Sequence, residues 1–365
     1  MAHGLVGWNK NFALMPYGDS WREHRKVFHR QFQPNAICNY HAYMYKQARN
    51  MLGRLIAEPG ALMRHLRFMA GATILRVSYG INAQPEHDHY LEIMEEAVHS
   101  LVEVGNTGAY MVDLIPALRY LPSWMPGARF KQDAARWSKQ VDKMFDEPFE
   151  VVKQDLAEGN STNCVCASLL SEIDDSADEK RQETVIKHAV GTAYIGGADT
   201  TVSSLATFVL AMMQYPHVQR IAQEEIERVT GRYNIPAGSI VMGNAWAVLH
   251  DEDRYPNPES FEPARFLTAG GDLDKDAPDS LEAGFGFGRR ICAGMDFAQD
   301  SMWINIAYML ATLDIEKPMD ETGNVIEPSG EYTTGLLEQP LPFKVSFKPR
   351  SKAAEALMYE AAFYD

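Results

Sequence analysis

Cys292 has the most chemically suggestive surroundings in the chain. It stands in Phe285-Gly-Phe-Gly-Arg-Arg-Ile-Cys-Ala-Gly294, and a long helical pattern begins directly after it. Glycine lacks a β-carbon, so such a loop can turn tightly and approach a flat ligand closely. A cysteine at the mouth of a helix, beside Arg289 and Arg290, is expected to have a depressed pKa and to favour the thiolate. A thiolate in a loop of this kind can serve as an axial ligand of haem iron. The same composition also fits a glycine-rich turn around a buried free cysteine.

A second stretch, Gly196-Gly-Ala-Asp-Thr-Thr201, lies at the middle of an apolar run from about Arg181 to Tyr215, ended by Pro216. A helix of ~34 residues there spans roughly 50 Å, enough to cross a domain. Mid-helix glycines cost up to about 1 kcal/mol each. Adjacent Asp and Thr side chains can divert backbone hydrogen bonds and open a local groove. Such a groove can hold dioxygen and a water, with Asp199 relaying protons and Thr200 bonding the oxygen. A packing notch of small residues between helices is the alternative. Trp21 and Arg25 form the third group. They are four apart and share one helical face. An indole N–H and a guanidinium on that face can grip one carboxylate.

These groups need a large helical scaffold. The chain has 365 residues, enough for one large domain or two ordinary ones, and at 46% hydrophobic it can bury a sizeable core. A net charge of −15 argues against nucleic acid as a partner. Four cysteines are too few for a disulfide framework and suggest a reducing compartment. Cys164-Val-Cys166 has poor spacing for a metal, and His87 and His89 have no third ligand nearby. Ala189 to Met213 carries Asp199 near its centre, which is costly in lipid, so it reads as a buried core helix.

Asp19 or Ser20 can cap a helix bearing Trp21 and Arg25. Several helices are expected over 36–104, and prolines break the chain over 105–130. Helices follow over 131–158 and 216–231, then a proline-led turn and short strand over 235–241. A helix over 295–313 and a β-hairpin over 332–349 complete the scaffold. Residues 351–365 read as a C-terminal tail.

Phe285, Gly288, Arg290, Cys292 and Gly294 fit Phe-x-x-Gly-x-Arg-x-Cys-x-Gly, and this loop resembles the haem-binding loop of the cytochrome P450 family. Gly-x-Asp-Thr-Thr over 197–201 resembles the family's oxygen-binding motif. Trp21-x-x-x-Arg25 resembles its propionate-binding helix, and Phe261-Glu-Pro-Ala-Arg-Phe266 its Pro-x-Arg-Phe motif. The resemblance is closest to fungal microsomal members that oxidise polyketide or terpenoid metabolites. It implies a mainly α fold with a small β component, an incomplete P450 fold, with one haem domain over 1–350. It implies haem b (iron protoporphyrin IX) ligated by Cys292. Arg290, Trp21 and Arg25 would hold propionates, Phe285 would pack beside the thiolate, and Gly288 and Gly294 would leave room for the macrocycle. It implies a monooxygenase acting on a lipophilic small molecule with O2 and with electrons from NADPH through cytochrome P450 reductase. The protein would be a monomer, with Arg22, Lys26 and Arg30 as a docking patch for the reductase and the 105–130 segment over the substrate pocket. The family sits on the cytosolic face of the endoplasmic reticulum membrane. This chain shows no anchor, which leaves the cytoplasm open.

The family pattern also fails in one interior place. A Glu-x-x-Arg helix is expected between the helix at 216–231 and the Ile235-Pro-Ala-Gly238 turn, and those elements nearly touch. Glu225 and Arg228 have the spacing but sit in the wrong helix. Arg265 is therefore expected to lack its partners, at a cost of about 3–5 kcal/mol if buried. Two other functions stay open, a haem-binding or inactive remnant and a thiolate-haem isomerase or peroxygenase.

Overall fold

Helix α1, Asp19–Phe32, buries Trp21, His24, Phe28 and Phe32 at three- and four-residue steps and leaves its charged face in solvent. The computed structural model describes residues 1–105, 110–125, 127–160, 163–173, 178–220, 222, 255, 257–258, 260–268, 274, 277, 284–286, 291–333, 339–352 and 354–355. Helices α2 (His41–Ala57) and α3 (Leu62–Tyr79) pack as neighbours, and α3 is buried on most of its faces. Helix α4 (His89–Gly105) pairs with α5 (Arg129–Ala157). Asp88 starts α4 by accepting from the backbone N–H groups of Tyr90 and Leu91 at 3.0 and 2.9 Å. The proline-rich stretch before α5 forms only a short helix, Met111–Leu114, and a 3₁₀ turn, Pro116–Tyr120.

Helix α6, Glu179–Gln214, is the axis of the fold. Its 36 residues run about 54 Å. It packs on α3 most extensively, and also on α1, α5 and helix α7 (Met295–Thr312). The expected groove opener is absent: α6 is continuous through Gly196–Thr201. Thr192, Thr200 and Ser204 donate back to the carbonyls of His188, Gly196 and Thr200 at 2.7, 2.7 and 3.1 Å without breaking the ladder. The helix is long and apolar enough to cross a membrane, yet 56% of its most apolar window is buried in protein.

Two hydrophobic clusters share this helix. Ile186 to Ala198 pack with Trp8, Phe28 and Phe145 in the first, and Val202 to Met213 with Leu55, Leu66 and Leu310 in the second. Gly196–Thr201 therefore spans the seam between them.

Strand β1, Leu313–Glu316, continues directly from α7. It pairs antiparallel with β2, Ser346–Pro349, in the register Leu313↔Pro349 to Glu316↔Ser346. The expected hairpin over 332–349 is thus only partly formed. Tyr332 and Pro340 make an isolated bridge, while the end of the segment pairs back to β1. Residues 216–220 are helical. The remainder of the 216–231 helix and the 235–241 strand lie outside the described residues.

Candidate functional site

Helices α1 and α6 and the loop before α7 enclose an apolar cavity of about 500 Å³. Phe12, Trp21, Arg25 and Phe28 line one side, Gly196, Thr200 and Ser204 another, and Phe285, Cys292 and Gly294 a third. The cysteine loop closes on itself. Cys292 N–H donates to the Phe285 carbonyl at 2.8 Å, and Met295 N–H reaches the Cys292 carbonyl at 3.3 Å. Gly286 has φ 76°, a left-handed turn that suits glycine. A β-carbon on Gly294 would sit 3.8 Å from Phe28 Cζ, an ordinary contact, while one on Gly196 would meet nothing within 4 Å.

Arg25 ties α1 to this loop, because its Nη1 donates to the Ile291 carbonyl at 2.6 Å. Trp21 is buried beside it and packs against Tyr17 in a tilted arrangement, with ring centroids 5.1 Å apart. Trp21, Arg25, Thr200, Phe285, Cys292 and Gly294 are therefore gathered around one cavity. Gly288 and Arg290 lie outside the described residues, as does Arg289.

Asp199 is placed differently from Thr200. Successive helical residues are about 100° apart, and Asp199 is not among the residues lining the cavity. Both its carboxylate oxygens accept from Gln339 Nε2 at 3.1 Å. No local signal in the sequence marked Gln339. Ser204 was missed as well, although its spacing from Gly196 and Thr200 (i, i+4, i+8) puts all three on one face.

The expected depression of the Cys292 pKa is reversed. The Cys292 side chain is open to the cavity mouth and solvent, yet desolvation by the protein packed around it pushes the thiol up, the Gly294 backbone N–H and Arg25 pull it down, and Asp296 pushes it up again. Desolvation outweighs the one described arginine and the helix mouth. Coordination to a metal would itself remove the proton.

Arg265 also differs from expectation. Its guanidinium donates to the carbonyls of Glu262, Asn257 and Ser260 at 3.1, 3.0 and 2.9 Å. It is satisfied by its own loop, so the cost of an unpartnered arginine does not arise. The basic face of α1 is partly neutralised: Arg22 pairs with Asp19 and Arg30 with Glu172.

The cavity offers a thiol in an apolar slot, a neighbouring guanidinium and indole, and a glycine-open wall. Cys292 is the one metal-ligating side chain lining it, and no group of three or more occurs among the described residues. That donor set fits a haem bound through sulfur. The comparisons agree. The cytochrome P450 family model matches residues 1–233 and 229–347. The chain belongs to the cytochrome P450 family.

The two matched pieces of this P450 overlap at 229–233, beside the place where the sequence departs from the expected Glu-x-x-Arg segment. A cytochrome P450 monooxygenase of Postia placenta is 37% identical over 405 aligned positions, covering 98% of this chain and 78% of the relative. That span exceeds the 365 residues here, so the alignment carries gaps on this side. A tryptamine 4-monooxygenase of Psilocybe cyanescens is 33% identical, covering 96% of this chain and 78% of its own length. A zebrafish cytochrome P450 solved with progesterone superposes with a TM-score of 0.70 at 19% identity, covering 95% of this chain and 86% of that one. The chain is an oxidoreductase of the P450 monooxygenase class. The family uses haem, O2, a redox partner and lipophilic substrates, and is commonly membrane associated.

Proposed function

We propose that this P450 is a haem b monooxygenase that inserts one oxygen atom into a lipophilic small molecule of the secondary-metabolite type. Electrons come from NADPH through cytochrome P450 reductase, and the protein works as a monomer on the cytosolic face of the endoplasmic reticulum membrane. The overall change is C–H plus O2, two electrons and two protons to C–OH and water. The observation that carries this reading is that Cys292 and Thr200, from separate elements, open into one apolar cavity.

The bound haem would activate dioxygen, with the Cys292 thiolate favouring O–O cleavage. The chain's own residues do the rest. Cys292 supplies the sulfur ligand, and Trp21 and Arg25 hold carboxylates at the cavity edge. Phe285 packs against the thiolate side. Gly294 would leave room for the macrocycle, and Gly288 and Arg290 would complete the loop's role by motif. Thr200 Oγ1 presents a hydroxyl to the cavity, and Asp199, one residue before it, passes protons to that hydroxyl. Phe12, Phe28 and Ile74 exclude bulk water from the reacting side.

The test is the carbon monoxide difference spectrum of the reduced, haem-reconstituted protein. A strongly red-shifted Soret band is expected. No haem uptake, or the spectrum of a histidine or neutral-thiol complex, overturns the reading. The junction at 229–233 favours one second reading, a non-catalytic P450 that binds haem weakly or not at all. Steady NADPH-dependent product formation with reductase excludes it.

A further inference from the structure

Residues 330–333 and 339–341 lie beside one face of α6, with hydrogen bonds to it at two places and a close approach at a third. Gln339 Nε2 donates to Asp199, Tyr332 OH to Thr207 Oγ1 at 3.4 Å, and a β-carbon on Gly330 would come 3.0 Å from Gln214 Nε2. Asp199, Thr207 and Gln214 are eight and seven apart, so they share that face. Gln339 is fixed from behind. Its carbonyl accepts from Thr333 N–H at 2.8 Å, its N–H donates to Thr333 Oγ1 at 3.0 Å, and Leu341 N–H donates to the Glu331 carbonyl at 2.8 Å. An amide so held, donating to both oxygens of a carboxylate, fixes where that carboxylate points.

We propose that Gln339 is the positioning residue for Asp199, holding its carboxylate on the segment's side of α6 and away from Thr200. This rests on the proton-relay reading of Asp199. The relay then works when the carboxylate leaves the amide, so the segment sets how often a proton reaches the cavity. Other charged groups face the pair. Glu95 on α4 lies within electrostatic reach of Asp199; burial pushes its carboxyl up, Arg67 on α3 pulls it down, and Asp199 and Glu92 push it up.

The test compares Gln339→Met, which keeps the shape and removes the donor, with Asp199→Asn and the double variant. Each is haem-loaded and assayed with reductase for NADPH consumption, peroxide release and the solvent deuterium isotope effect. Asp199→Asn is expected to slow NADPH consumption and enlarge the isotope effect. Gln339→Met is expected to move both the opposite way, with the held fraction falling roughly tenfold, and to do nothing further in the Asp199→Asn background. An unchanged Gln339→Met protein, or an equal effect in both backgrounds, overturns the proposal. A second readout needs no turnover: the carboxylate infrared band assigned to Asp199 by difference from Asp199→Asn. It should shift in Gln339→Met, and a fixed band overturns the proposal. If Asp199→Asn itself leaves turnover and isotope effect unchanged, the relay reading fails, and the infrared band alone decides whether Gln339 holds the carboxylate.

Discussion

Gly196 and Gly197 are neighbours in sequence and opposites in surroundings. A β-carbon on Gly197 would lie 2.9 Å from Ile74 Cγ1, while one on Gly196 enters open cavity. Gly197→Ala is therefore expected to destabilise the protein by about 1–3 kcal/mol, less whatever helix propensity returns. Gly196→Ala is expected to stabilise the empty protein by up to about 1 kcal/mol. Thermal unfolding of both checks the opposite signs. The packing-notch reading of this stretch fits Gly197, while Gly196 faces the cavity without any break in the helix. His188 supplies a pH signature. It stacks on His24 with centroids 5.7 Å apart and planes 13° off parallel. Burial first, then His24, Lys10 and Lys187, push it down to about 4, against Asp146. The unfolded chain then binds more protons between about pH 4 and 6.5, so stability is full above 6.5 and falls as pH drops through that window. The loss is at most about 3 kcal/mol. His188→Phe should flatten the dependence of Tm on pH there, and an unchanged slope would refute the assignment. Fixed spacing made Cys292, Trp21 and Arg25 legible in the sequence. The orientation of Asp199 was not, because a residue 140 positions away sets it.

Elements were legible where one segment decides its own state. The apolar run of α6 and the amphipathic spacing of α1 do so, and both helices lie within a few residues of expectation. Pairing partners were not. The stretch 332–349 reads as a β-hairpin but does not say that its end pairs with β1, directly after α7. A buried side chain also holds that strand. Gln219 Oε1 accepts from Ile315 N–H at 2.8 Å, and its Nε2 donates to the Ile315 carbonyl at 3.0 Å. Gln219→Ala leaves both backbone groups without this partner and is expected to cost about 2 kcal/mol. Urea unfolding should show a lower midpoint with an unchanged slope.

At the scale of the whole molecule, one surface stands apart. Met111, Leu114, Ile115, Tyr120 and Trp124 are exposed within fourteen residues, Tyr120 by 73% and Trp124 by 78%. Grouped apolar side chains of this kind mark an interaction surface, and aromatic residues favour the lipid interface. Under the proposed membrane location, Tyr120→Ser with Trp124→Ser should lower the fraction that floats with phosphatidylcholine vesicles by severalfold. Equal flotation would remove this segment from the contact. The proline breaks made the segment's irregularity legible, and its exposure could not be read because nothing local says what covers it. The two clusters joined by α6 have a consequence for synthesis. Residues 1–198 supply nearly all of the first cluster, whereas the second is completed only by residues 309–347. Walls α1 and α6 of the cavity thus leave the ribosome well before Cys292 does. Folding that follows emergence leaves the slot open on its cysteine side until residues 291–298 have been made, so a flat ligand has access from that side ahead of the loop that would grip it.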